Sequence, residues 1–98
     1  MSNTSVNPAD IYGLARHYRF QWEEAQQCYV LLYPEGMVKL NGGAGEVIKR
    51  ADGSKTVAEV VQEIEAAFPG VPDLQSDVMA MFELAVEKSW LEKRNQTY

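Results

Sequence analysis

The sequence predicts an α+β domain in which a three-stranded antiparallel sheet is followed by three helices. Three observations predict it. Apolar residues alternate with period 2 through residues 16–40, and from Ala44 onward they recur at helical spacing. Between the two regimes lie a turn, Pro34-Glu35-Gly36, and a helix cap, Asn41. The chain of 98 residues allows one core, so every apolar face must find a partner.

Residues 1–10 are polar, with Ser, Asn and Pro8, and are expected to be poorly ordered. Ile11 to Ala15 is weakly apolar around Gly13 and shows no period. Residues 1–15 are therefore expected as a flexible lead-in, 16–91 as the domain and 92–98 as a polar tail. From Arg16, Tyr18, Phe20 and Trp22 point one way and His17, Arg19, Gln21 and Glu23 the other, a half-buried strand with three aromatics on its inner face. Glu24 to Gln27 is a connection of hairpin length. In Cys28 to Tyr33 both alternating faces are largely apolar, which suits a strand between two neighbours. Met37 to Leu40 is the third strand. Two short connections in succession imply a meander, so this third strand is an edge unless something covers it.

Ala44, Val47, Ile48 and Ala51 form the stripe of a short helix ending at Asp52-Gly53. Thr56-Val57-Ala58-Glu59 is a capping box opening a helix whose Val57, Val60, Val61, Ile64 and Phe68 share a face before Pro69-Gly70. Asp73 is positioned to cap a third helix running to Trp90 or Leu91, with Lys88 near its end suiting the helix dipole. In that helix Leu74, Val78, Met79, Met81, Phe82, Ala85, Val86 and Trp90 cover about half the circumference. Either a small core uses all of this arc, or part of it forms one wall of a groove lined by adaptable methionines.

Charge and composition exclude several functions. A net charge of −5 opposes contact with nucleic acid or anionic lipid. No apolar run approaches the ~20 residues that cross a membrane. The single cysteine, Cys28, forms no internal disulfide and fits a reducing, cytoplasmic setting. His17 is the only histidine and sits between Arg16 and Arg19, so neither a Cys–His dyad nor a metal-ligand spacing exists. Gly42, Gly43 and Gly45 lack the Lys-Ser/Thr of a phosphate loop and read as helix entry. Catalysis and a cofactor of the chain's own are not expected. Three strands and three helices at this size suggest a winged helix-turn-helix-like arrangement. Yet Val57 to Glu87 carries Glu59, Glu63, Glu65, Asp73, Asp77, Glu83 and Glu87 and no Lys or Arg, which would repel phosphates.

What remains is a short edge strand beside an apolar helix. An extended peptide could pair with the backbone of Met37 to Asn41 and set its side chains against the third helix. A proline at position 38 is expected to remove one amide from that edge. The alternative use of the same surface is pairing with a second copy; a monomer is expected, with a dimer as the variant. A small-molecule or quinone site has little support beyond Trp22, Trp90 and the tyrosines.

Phe20-Gln21-Trp22-Glu23, the run Val30-Leu31-Leu32-Tyr33-Pro34-Glu35-Gly36-Met37-Val38-Lys39-Leu40-Asn41, Ala44 with Glu46-Val47-Ile48, Asp52-Gly53, Thr56-Val57 and Asp77-Val78 through Trp90 together resemble the pyrroloquinoline quinone biosynthesis protein D (PqqD) family. The resemblance covers Arg16 to Leu91, and LLYPEG…LN followed by the DG turn is its specific part. Departures are Ala85, where a larger aliphatic is usual, and Ser89, where Gly commonly precedes the Trp. The resemblance implies a RiPP recognition element that binds the leader of the precursor peptide PqqA and presents it to the radical-SAM enzyme PqqE. It further implies that iron–sulfur clusters and S-adenosylmethionine belong to that enzyme. The leader is then expected as an added strand on Met37, Val38, Lys39, Leu40 and Asn41, against Val78, Met81, Phe82 and Ala85. Arg16, Arg19 and the acidic helix faces are the candidates for docking the enzyme.

Overall fold

A computed structural model describes residues 6–95, so the parts of the expected lead-in and tail at 1–5 and 96–98 lie outside the described residues. The chain runs β1 (Tyr12–Leu14), β2 (Arg19–Glu23), β3 (Cys28–Tyr33), β4 (Gly36–Lys39), α1 (Gly42–Arg50), α2 (Val57–Ala67), α3 (Leu74–Glu87) and β5 (Leu91–Lys93). Strands β2, β3 and β4 form the expected antiparallel meander, with β3 in the centre. Its neighbours Val30 and Leu31 point to opposite faces and are both 0% exposed, which is why neither face of β3 carries polar residues. The register sets Phe20 opposite Leu31 opposite Val38 on the inner face, and Arg19 opposite Leu32 opposite Met37 on the outer.

Helix α1 begins where Asn41 accepts the Ala44 amide at 2.8 Å, and its Ala44, Val47 and Ile48 are buried. Helix α2 opens with the expected capping box: Thr56 Oγ1 accepts from the Glu59 amide and Glu59 Oε1 from the Thr56 amide. Helix α3 differs from expectation at both ends. Asp73 precedes it in the left-handed region at φ 58° and makes no side-chain cap, so the turn after Pro72 and not an aspartate cap sets the helix start. At the other end the helix stops at Glu87. The Ser89 amide donates to Val86 O and the Trp90 amide to Ala85 O, a Schellman closure with Ser89 at φ 63° where glycine is usual.

That closure reverses the chain into an element the periodicity did not predict. Leu91–Lys93 pairs antiparallel with Tyr12–Leu14, so part of the expected lead-in and the start of the expected tail form a ribbon. The Arg94 amide donates to Ile11 O, the Ile11 amide to Asn95 Oδ1, and the Arg94 guanidinium to Leu14 O. Asp10 is buried beside this ribbon, where it accepts from the Asn7 amide and pairs with Lys93 at 3.2 Å. Burial alone would raise its pKa, but the Asn7 amide and the Lys93 ammonium outweigh it and hold the carboxyl below the ordinary value of 3.8. The core lies between the sheet, the helices and this ribbon, with Phe82 at its centre and the Tyr12 ring 6.1 Å away.

Candidate functional site

Strand β4 is paired on one side only: β3 lies along one border, and no strand among the described residues lies along the other. Which groups face the open border follows from the ladder. In an antiparallel pair, hydrogen-bonded and non-hydrogen-bonded residue pairs alternate. The Leu40 amide donates to Tyr29 O at 3.0 Å, so Leu40, Val38 and Gly36 turn their amides and carbonyls toward β3. Met37 and Lys39 therefore turn theirs outward. A proline at 38 would break the sheet's own bond to Leu31, and the amides that matter for an added strand are those of Met37 and Lys39. Side chains alternate as well: Val38 packs against the core, whereas Met37 is 42% exposed and Lys39 is exposed.

Beyond β4 the chain passes Asn41 into a groove of about 500 Å³ between the first turns of α1, the end of α2 and the first half of α3. Gly42 and Gly43 form its near end. Ile64, Phe68, Val71, Leu74, Val78 and Met81 make it apolar, and Glu46 and Asp77 line it with charge. Phe68 and Val71 are 41% and 46% exposed, large apolar side chains left without a partner at the α2–α3 corner. Gly43 faces α3, and a Cβ there would lie 3.6 Å from the Met81 side chain, an ordinary van der Waals contact.

The expected site residues separate into two groups. Met37, Val38 and Lys39 form the edge, with Asn41 joining edge to groove, and Val78 and Met81 line the groove. Leu40, Phe82 and Ala85 do not reach the surface: Phe82 and Ala85 are 1% and 2% exposed and hold α3 against the core from behind. The reason is radial. Phe82 sits on the part of the helix arc that meets Tyr12 of β1, while Val78 and Met81 line the groove shared with α1 and α2. The arc thus serves both purposes that its width allowed. Phe68, Val71 and Leu74 were not expected in the site. Their signal was present as three large apolar residues around Pro69-Gly70 and Pro72, a stretch where turn chemistry favours polar ones. Arg16 and Arg19 are exposed at the far side of the sheet, two strands from β4.

A model of the family described as coenzyme PQQ synthesis protein D (PqqD) matches residues 28–91. The chain belongs to the PqqD family. A protein of Stutzerimonas stutzeri called PqqA binding protein is 49% identical over 91 residues, covering 93% of this chain and 99% of that one. A protein of the same description from Azotobacter vinelandii is 47% identical over 92 residues, covering 94% and 98%. The solution structure of the PqqD truncation of Methylobacterium extorquens PqqCD superposes with a TM-score of 0.75 at 29% identity, over 94% of this chain and 99% of that one. That domain is described as a functional, stand-alone RiPP recognition element. The sheet followed by three helices is thus the architecture of a known recognition domain, and the family sits within PQQ biosynthesis.

Proposed function

We propose that this chain is a non-catalytic peptide chaperone that binds the leader of PqqA by strand addition to β4 and presents it to the radical-SAM enzyme PqqE. The observation that carries the reading is the open border of β4 leading into the apolar groove between α1, α2 and α3. The names of the relatives support PqqA as the guest. Four outward groups on Met37 and Lys39, at a net ~0.5–1.5 kcal/mol per hydrogen bond, contribute a few kcal/mol. Two buried apolar anchors add ~1.5–3 kcal/mol each, and ordering the peptide costs about 2–5 kcal/mol. The balance is about 5 kcal/mol at mid-range and about 10 kcal/mol at its upper end, so micromolar binding draws on the upper half of these ranges, strong enough to deliver a substrate and weak enough to release it. Arg16 and Arg19, exposed and outside every ion pair found among the described residues, are the proposed contacts for the enzyme.

The test is an NMR titration of labelled protein with the PqqA leader. Amide shifts at Met37 and Lys39 together with methyl shifts at Met81 are expected. Shifts confined to the β2 border or to β1 and β5 would refute the site. Charge reversal at Arg16 and Arg19 together should weaken capture of PqqE while leaving leader affinity unchanged; unchanged capture would remove those residues from the docking surface.

A further inference from the structure

We infer that β4 reads its guest by an alternating code, with an apolar side chain opposite Val38 and a carboxylate on the neighbouring residue, opposite Lys39. The inference rests on the strand-addition reading and specifies the chemistry of the guest. Because Met37 and Lys39 present the outward backbone groups, an added strand is bonded to these two residues and its own residues fall opposite Met37, Val38 and Lys39. Directly opposed residues in a sheet project to the same face. The guest residue opposite Val38 therefore points to the inner face, where Val38 itself packs against the core.

The guest residues opposite Met37 and Lys39 point to the outer face. There Lys39 is exposed, and no carboxylate lies within ion-pair distance of it among the described residues. Its cross-strand neighbours on that face are Val30 and, beyond it, Gln21, neither of them charged. Arg19, on the same face but two strands away on β2, is likewise unpaired among the described residues. In a chain of net charge −5 this outer face carries the unpaired Lys39 at the open border, with Glu23 two strands away on β2, while the groove side carries Glu46 and Asp77. The two sides of an added strand thus meet opposite chemistry. An acidic residue next to an apolar one satisfies both, in either strand direction, and a cation opposite Lys39 is rejected.

A charge scan tests it. Each acidic residue of a synthetic PqqA leader is replaced in turn by Lys, and every peptide is titrated by fluorescence anisotropy against the native protein and Lys39→Glu, with the fold of the variant checked by its melting curve. Lys39 is exposed on an edge, and Lys39→Ala provides a second variant without an introduced charge. One guest position is expected to stand out. There the Lys peptide loses about three- to tenfold in affinity for the native protein and regains it against Lys39→Glu, with a weaker salt dependence for Lys39→Ala. If native affinity is intact but Lys39→Glu and Lys39→Ala bind every peptide as the native protein does, the code is wrong and strand addition stands. If no leader binds the native protein, strand addition fails and the code falls with it.

Discussion

Lys39→Pro separates the open border from the sheet that carries it. The Lys39 amide faces away from β3, so a proline there removes no ladder bond, and proline is tolerated on an edge strand in that orientation. Stability should fall by less than about 1 kcal/mol. Binding should suffer far more, since the guest loses one amide donor worth ~0.5–1.5 kcal/mol and the ring blocks the approach of the adjacent guest carbonyl. Two bonds lost together amount to ~1–3 kcal/mol, or about fivefold to 150-fold in affinity. Lys39→Ala removes the charge and keeps the amide, so the ratio of the two dissociation constants isolates the backbone contribution. Val38→Pro is the opposite case: it deletes the bond to Leu31 and a half-buried side chain, for about 2 kcal/mol of stability. Anisotropy with labelled PqqA leader and urea unfolding of all three variants supply the numbers. A folded Lys39→Pro that binds like Lys39→Ala would refute strand addition at β4.

Other substitutions probe the groove and the folded frame. Phe68→Ser should weaken leader binding severalfold while changing stability by less than about 1 kcal/mol, whereas Phe82→Ala should cost ~3–5 kcal/mol in urea unfolding. Ser89→Gly relieves the left-handed residue of the Schellman closure and should raise stability by about 0.5–1 kcal/mol, seen as a melting point several degrees higher. Thr56→Ala breaks the capping box and should cost about 1 kcal/mol by the same assay. Asp10 has a folded-state pKa below its ordinary 3.8, so its contribution is complete above that value and is lost as pH falls through the folded one. Asp10→Asn should therefore reduce the acid dependence of unfolding free energy below about pH 4, and an unchanged slope would contradict the Lys93 and Asn7 contacts.

The meander, the three helices and the open edge were legible because each rests on local order. Pro34 and Glu35 make the turn, with Gly36 already the first residue of β4, Asn41 caps the next helix, and Thr56 with Glu59 closes a box within four residues. The β1–β5 ribbon was not legible. Its strands are three residues each, too short to show a period, and each is a strand only because the other lies beside it from the far end of the chain. The division of the α3 arc was also hidden: periodicity says that Val78, Met81, Phe82 and Ala85 are near one another, not which of them another element covers. Asp73 shows the limit of residue preference, since a good capping type instead adopts the left-handed turn before its helix.

The ribbon also brings two distant parts of the chain into contact, with the Asn95 amide donating to Ala9 O and the Asn95 carbonyl accepting from Ile11. A short linker between those neighbours would close a small loop at little entropic expense. New ends could then be opened in the exposed Glu24–Gln27 turn. Such a circular permutant would retain β4 and its groove while moving the attachment point for any fused domain to the tip of the β2–β3 hairpin.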